Sequence, residues 1–124
     1  MSNFLGLHHA SFLVQDTARS LRFYLDVLGM EQTNRVELPF PGAWLSVGDQ
    51  QIHLLELPNP DPLSSRPQHG GRDRHVAIYV RDLDQVVDSL TEADVEFTMS
   101  KSGRRALFCR DPDGNTLELI EAAA

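Results

Sequence analysis

The strongest constraint on the fold of this 124-residue chain is an internal repeat. Residues 75–82, His-Val-Ala-Ile-Tyr-Val-Arg-Asp, repeat the pattern of residues 9–16, His-Ala-Ser-Phe-Leu-Val-Gln-Asp. Histidine, valine and aspartate recur at the same relative positions, and residues 52–56 and 117–121 form a second matching pair. Repetition on this scale indicates two copies of one supersecondary unit.

Each copy has the pattern of one strand, one helix and three further strands. In the first half, Asp16 suits a helix N-cap, apolar residues follow at helical spacing, and Gly29 suits the C′ position. The expected strands cover residues 7–14, two segments within 30–47, then 51–57, 75–80, 95–99, 105–109 and 116–120. The sequence therefore predicts an α+β fold.

The two copies are expected to form one domain over residues 1–124. Module one covers about residues 5–57 and module two about residues 74–121. Residues 58–73 are rich in proline, serine and glycine and have no periodicity, which is typical of a linker.

Residues 111–114, Asp-Pro-Asp-Gly, predict a tight turn before the last strand. Proline presets φ at the second turn position, and glycine supplies the positive φ that closes a bulged hairpin. Beyond the turn the residues alternate as in a strand, so Glu118 and Ile120 share one face. A carboxylate among apolar strand residues is costly unless a positive group meets it.

The same alternation assigns polar residues of both halves to one inner face. If each half is a curved sheet with its helix behind it, the opposite sheet face lines a cavity. This inner face contains His9, His53, His75 and Glu118. Three imidazoles and a carboxylate in a largely apolar cleft suit a divalent transition metal. The candidate substrate contacts on this face are Ser11, Leu13, Leu55 and Tyr79.

Other polar and aromatic residues are expected outside the site. His8 should point away from His9. His69 should be solvated in the linker, with a lid contact as the alternative. Trp44 is expected in the core or a dimer interface, with a wall of the ligand site as the alternative. Solvated positions are expected for Arg104 and Arg105, with attraction of a substrate carboxylate as the alternative. The alternation places Glu56 and Glu121 on the strand faces opposite the site.

The repeat, the four polar positions and the Asp-Pro-Asp-Gly-x-x-x-Glu ending resemble the vicinal oxygen chelate superfamily. That family includes glyoxalase I, methylmalonyl-CoA epimerase, fosfomycin-modifying thiol transferases, extradiol dioxygenases and bleomycin-resistance proteins. The resemblance runs from about residue 5 to residue 121, and residues 23–29, Phe-Tyr-Leu-Asp-Val-Leu-Gly, also fit it. It implies two paired βαβββ modules that form a curved mixed sheet around a metal-centred cavity, with the helices outside. It also implies a homodimer.

The resemblance further implies one divalent metal ion, either zinc, nickel, iron or manganese, held by His9, His53, His75 and Glu118. In the family, substrate oxygens chelate the metal, which stabilises a developing oxyanion. The hypothesis is a metal-dependent lyase or isomerase that acts on a small α-oxygenated substrate through an enolate-like intermediate. Glu118 would be a ligand and proton carrier, with His53 as the alternative base. The sequence leaves open whether the site is built within one chain or across two.

Two other functions remain open. An extradiol ring-cleaving dioxygenase would use Fe(II) held by His9, His75 and Glu118, with His53 outside the direct ligand set or as a fourth ligand. A metal-free binding protein of the bleomycin-resistance kind would not need the four residues as ligands.

Two departures from the family bear on the substrate. Glyoxalase I tends to carry an arginine where this chain has Leu13 and an asparagine where it has Leu57. Both family residues help to hold glutathione. Their replacement by leucine counts against an ordinary glutathione-dependent glyoxalase I.

Composition narrows the possible partners to a small molecule. Eighteen acidic residues against 11 basic ones, without a basic block, argue against nucleic-acid binding. No apolar run approaches membrane-spanning length and the first residues lack a signal-peptide layout, so a cytoplasmic location without membrane contact is expected. The single Cys109 excludes an internal disulfide.

Overall fold

A computed structural model of the protein describes residues 1–123, which form two four-stranded mixed sheets. The first sheet has the order β1-β4-β3-β2 and the second has the order β5-β8-β7-β6. The pairs β1–β4 and β5–β8 are parallel, and the remaining pairs are antiparallel. The strands are β1 (His9–Val14), β2 (Glu31–Thr33), β3 (Gly42–Val47), β4 (Gln50–Glu56), β5 (Val76–Val80), β6 (Phe97–Met99), β7 (Ala106–Arg110) and β8 (Thr116–Glu121).

One helical segment follows the first strand of each half. Helix α1 (Thr17–Leu21) continues directly into a π-helical turn (Arg22–Val27), and helix α2 is Leu83–Glu92. The side chains of Asp16 and Asp82 cap these helices. Asp16 accepts a hydrogen bond from the backbone N–H of Arg19, and Asp82 accepts one from the backbone N–H of Gln85. Gly29 has a φ of +79° just after the first helical segment. The α+β class, the predicted cap at Asp16 and the role of Gly29 are confirmed.

A second cap repeats in both halves and was not predicted. Glu56, near the end of β4, accepts a hydrogen bond from the backbone N–H of Thr17 at 2.8 Å. Glu121, at the end of β8, accepts the equivalent bond from Leu83 at 2.9 Å. Both glutamates therefore lie on the helix side of their sheets, as the alternation predicted, and stabilise the first turn of each helix.

The helix-facing sides of both sheets contribute to one hydrophobic core. Leu45 and Leu54 of the first sheet and Leu117 and Leu119 of the second are almost completely buried within it. Because burial of one such side chain stabilises a fold by roughly 1.5–3 kcal/mol, this shared core holds each helix on its sheet.

The predicted turn also joins the two halves. Gly114 has a φ of +83°, as the closing position of the turn requires. Asp113 accepts hydrogen bonds from the Arg19 guanidinium at 2.8 Å and from the Gln15 backbone N–H at 3.0 Å. Asp111 accepts a hydrogen bond from the Tyr24 hydroxyl at 2.7 Å in a buried position. The turn thus anchors module two to the first helix.

The linker is irregular except for a 3₁₀ turn, Gly70–Arg72, which packs closely on the second sheet. A Cβ on Gly70 would lie only 2.6 Å from the Thr116 side chain, so only glycine fits there. The carboxylate of Asp73 accepts hydrogen bonds from Arg66 and Arg110, each at 2.8 Å. Partial burial raises the pKa of this carboxyl, but these bonds outweigh it and lower the pKa to about 2.

Candidate functional site

The two sheets carry equivalent residues in equivalent rows of their inner faces. In the first sheet, His53 of β4 lies between Ser11 of β1 and Trp44 of β3. In the second sheet, Glu118 of β8 lies between Ala77 of β5 and Phe108 of β7. Each sheet therefore presents a central polar side chain beside an aromatic ring.

In the first sheet, three rings form a continuous stack. The imidazole of His53 lies between the ring of His9, at a centroid distance of 3.9 Å, and the indole of Trp44, at 4.1 Å. Burial lowers the pKa of His53 from its ordinary value, and the neighbouring His9 lowers it further. A lower pKa favours the neutral imidazole, which is the form that binds metal ions.

Gln51 orients the ring of His53. Its side-chain oxygen lies 2.7 Å from Nε2 of His53. Because an amide oxygen accepts, this contact requires the proton on Nε2 and leaves the lone pair of Nδ1 free. His8, expected to point away from His9, instead approaches it, with the two Nδ1 atoms 2.8 Å apart.

In the second sheet, Glu118 is 4 % exposed and both of its oxygens have partners. Oε1 lies 3.2 Å from Nε2 of His75, and Oε2 accepts a hydrogen bond from Arg104 at 2.8 Å. Nδ1 of His75 lies 2.8 Å from the backbone oxygen of Asp73, which fixes the ring orientation. Arg104, expected to be solvated, thus supplies the positive group that a buried carboxylate needs.

The four predicted ligands come together as two pairs and not as one set. His9 contacts His53, and His75 contacts Glu118. Among residues 1–123, no group of three or more histidine, cysteine, aspartate or glutamate side chains is placed to hold a metal ion. Each sheet of one chain therefore carries half of the predicted donor set.

The four candidate substrate contacts differ in their surroundings. Ser11 and Leu13 line a cavity of about 310 Å³ together with His75. Leu55 lies beside Leu13 in the strand register and is partly buried. The side chain of Tyr79 is 74 % exposed and lies outside this cavity.

Sequence reasoning missed three neighbours of the predicted site. Trp44 stacks on His53, and the strand register that pairs them has no signal in the sequence. Arg104 lies on an irregular hairpin, where no periodicity predicts its direction. His69, expected to be solvated, is half-buried against Phe108 and lies 2.8 Å from the Thr98 hydroxyl, because the linker packs on the sheet.

The repeated modules and their paired polar residues agree with a family comparison. Residues 6–119 match the Glyoxalase/Bleomycin resistance protein/Dioxygenase superfamily, and the chain belongs to this superfamily. This confirms the family that the sequence motifs indicated.

Individual relatives are similar over most of the chain. An uncharacterized Escherichia coli protein, YaeR, is 34% identical and covers 94% of this chain and 98% of its own. Glyoxylase I 4 of Arabidopsis thaliana is 32% identical, and the match covers 92% of this chain and 69% of the relative. A lactoylglutathione lyase of Haemophilus influenzae is 30% identical, and the match covers 91% of this chain and 90% of the relative. The crystal structure of a glyoxalase family protein from Bacillus anthracis superposes with a TM-score of 0.80 at 25% identity, covering 99% and 100%.

No helix in the described part of the chain is both long and apolar enough to cross a membrane.

Proposed function

We propose that this protein is a divalent-metal-dependent lyase or isomerase of the glyoxalase type that acts on a small α-oxygenated substrate. The metal would be held by His9, His53, His75 and Glu118. The observation that carries this proposal is the pairing of His75 with Glu118. Their facing atoms are 3.2 Å apart, which is about the spacing of two donors that share one ion at metal–ligand distances of about 2.1 Å.

The chemistry of the donor set supports a transition metal. Imidazole and carboxylate groups suit zinc, nickel, iron and manganese, and members of this superfamily commonly use divalent metals. The backbone oxygen of Asp73 next to His75 and the amide oxygen of Gln51 next to His53 are the partners that metal-binding histidines usually have.

A homodimer would complete the site. A twofold axis that places the first sheet of one protomer against the second sheet of its partner would join the two pairs and would do so twice. Each site would then combine His9 and His53 of one chain with His75 and Glu118 of the other. This arrangement would explain why a single chain carries its donors in two separate pairs.

The roles of the residues follow from their surroundings. A bound divalent ion would supply a Lewis acid that polarises an oxygen of the substrate. Glu118 would bind the ion and carry the proton that moves, while His53, with its lowered pKa, is the alternative base. Ser11 and Leu13, on β1 beside the strand that carries His53, would contact the substrate.

The substrate would differ from that of a glutathione-dependent enzyme. Several relatives are named lactoylglutathione lyase, one of them at 30% identity. Here Leu13 is partly buried and Leu57 is about one-third exposed, and neither can donate a hydrogen bond or a charge to a glutathione carboxylate. A smaller oxygenated substrate is the better match.

One observation favours a second candidate, an extradiol-type dioxygenase with Fe(II). The ring of His53 is packed between two other rings, which restricts its rotation towards an ion. The remaining His9, His75 and Glu118 are the two histidines and one carboxylate that non-haem iron oxygenases use. Oxygen uptake with a catechol would identify this activity.

Metal content tests the proposal first. We expect about one equivalent of metal per chain by elemental mass spectrometry, lost in His75→Ala and kept in the matched control His69→Ala. No metal in the wild type, even after reloading, would contradict the proposal and leave the metal-free binding protein as the best reading.

Mixing of complementary variants tests the dimer. One variant carries His9→Ala and His53→Ala, and the other carries His75→Ala and Glu118→Gln. In a mixed dimer, one of the two shared sites would consist only of intact halves, so refolding the two variants together should restore metal binding. Sites built within single chains would stay empty after mixing.

A further inference from the structure

Arg104 binds the carboxylate that the proposed function assigns to the metal. It lies on the hairpin between β6 and β7, and its Nη2 donates to Oε2 of Glu118 at 2.8 Å. The side chain of Glu118 is 5 % exposed, whereas that of Arg104 is 56 % exposed. One end of this ion pair is therefore buried in the sheet, and the other is more than half exposed to solvent.

Apart from its contact with Glu118, Arg104 bonds to an exposed residue of its own hairpin. Its Nε donates to the Ser102 hydroxyl at 2.9 Å, and Ser102 in turn contacts Ser100 at 2.8 Å, all at exposed positions. Gly103 has a φ of +84°, a left-handed backbone conformation that glycine adopts without a steric penalty. Among the residues that the structure describes, Arg104 forms its ion pair with Glu118.

A bound metal ion and the Arg104 guanidinium would compete for Glu118. Two cations on one carboxylate repel each other strongly in a partly buried position. Three neutral imidazoles and one carboxylate would together leave a divalent ion with a net positive charge. Arg104 beside it would raise that charge further unless an anion arrives.

We propose that Arg104 is a displaceable counter-ion that neutralises Glu118 in the metal-free protein and binds an anionic oxygen group of the substrate once the metal is bound. This inference rests on the proposed function. It assigns the substrate to small acids that carry a carboxylate beside the oxygen that reaches the metal. The planar fork of a guanidinium matches a carboxylate with two parallel hydrogen bonds.

The neighbouring basic residues differ from Arg104. Arg105 donates to Glu121 at 2.8 Å and to Asp84 at 3.0 Å, away from the site. Lys101 is exposed on the same hairpin as Arg104. Lys101→Gln is therefore a matched control, because it removes the same charge from the same hairpin and leaves Glu118 paired.

The test measures Co²⁺ binding and oxalate binding in the wild type, Arg104→Gln, Arg104→Lys and Lys101→Gln. Arg104→Gln should bind Co²⁺ about tenfold more tightly than the wild type, since the competing cation is gone. Its metal-loaded form should bind oxalate about tenfold more weakly, and Arg104→Lys should recover part of that loss. Lys101→Gln should resemble the wild type in both measurements.

Thermal unfolding separates this role from a purely structural one. Arg104→Gln leaves Glu118 short of a partner only while the metal is absent, so its melting temperature should fall in the metal-free form and recover in the loaded form. An equal fall in both forms would overturn the inference. So would Co²⁺ and oxalate affinities equal to those of Lys101→Gln. Absence of Co²⁺ binding in all four proteins would overturn the proposed function as well.

Discussion

The indole ring of Trp44 lies flat against the imidazole of His53, with the centroids 4.1 Å apart and the planes within 4° of each other. The two residues are opposite each other in the β3–β4 register. Since Trp44 is the one tryptophan of the sequence, we expect its fluorescence to respond to changes at His53.

Removal of this ring should loosen the proposed metal site. Trp44→Leu should weaken Co²⁺ binding by about tenfold, because His53 loses one wall of its stack. In the wild type, metal binding should change the tryptophan emission, and His53→Ala should abolish this change. Phe4→Leu, which replaces an exposed aromatic ring, is the control. Unchanged affinity in Trp44→Leu would mean that the stack does not support the ligand.

The buried hydrogen bond from Tyr24 to Asp111 should stabilise the junction between the modules. Tyr24→Phe leaves a buried carboxylate without one donor and should lower the free energy of unfolding by about 1–3 kcal/mol. Urea denaturation measures this difference. Tyr79→Phe, at an exposed position, should change stability by less than about 0.5 kcal/mol. Similar losses in both variants would argue against a special role for the junction.

Asp73 should make the stability of the protein depend on pH. Its pKa is lowered to about 2 in the folded state, so its contribution is present above its unfolded pKa of about 4 and disappears as the pH falls through about 2. At about pH 7, Asp73→Asn should cost about 2 kcal/mol. The difference between wild type and variant should shrink steadily between about pH 4 and pH 2. A difference independent of pH would show that packing dominates over charge.

Cys109 should be chemically inert in the folded protein. It is buried in β7, and burial raises its pKa to about 12. At about pH 8 its reaction with 5,5′-dithiobis(2-nitrobenzoic acid) should therefore be about a thousandfold slower than in urea-unfolded protein, because the thiolate is the reactive form. Rapid labelling of the native protein would indicate that β7 opens readily.

Local patterns in the sequence were enough to predict the order of helices and strands and which strand face each residue occupies. The caps at Asp16 and Asp82, the positive φ at Gly114 and the inward direction of Glu118 follow from interactions within a few residues. The alternation in β1 and β8 needed no knowledge of the neighbouring strands. The family could be identified because the repeat preserves these local patterns twice.

The environment of His53 and Glu118 was not predictable in the same way. Trp44 reaches His53 only through the register of two strands, and Arg104 reaches Glu118 from a hairpin without periodicity. Such pairings depend on how whole elements pack and not on the spacing of residues along the chain.

By itself, the sequence determined the repeated βαβββ modules and the four inner polar residues, because helix and strand periods are local properties of the backbone. Tertiary structure alone decided that these four residues form two separate pairs. It also decided that Asp113 anchors module two to Arg19, which lies 94 positions away in the chain. The physical reason is that contacts of this range depend on the docking of the two sheets through their common core, which no local pattern encodes.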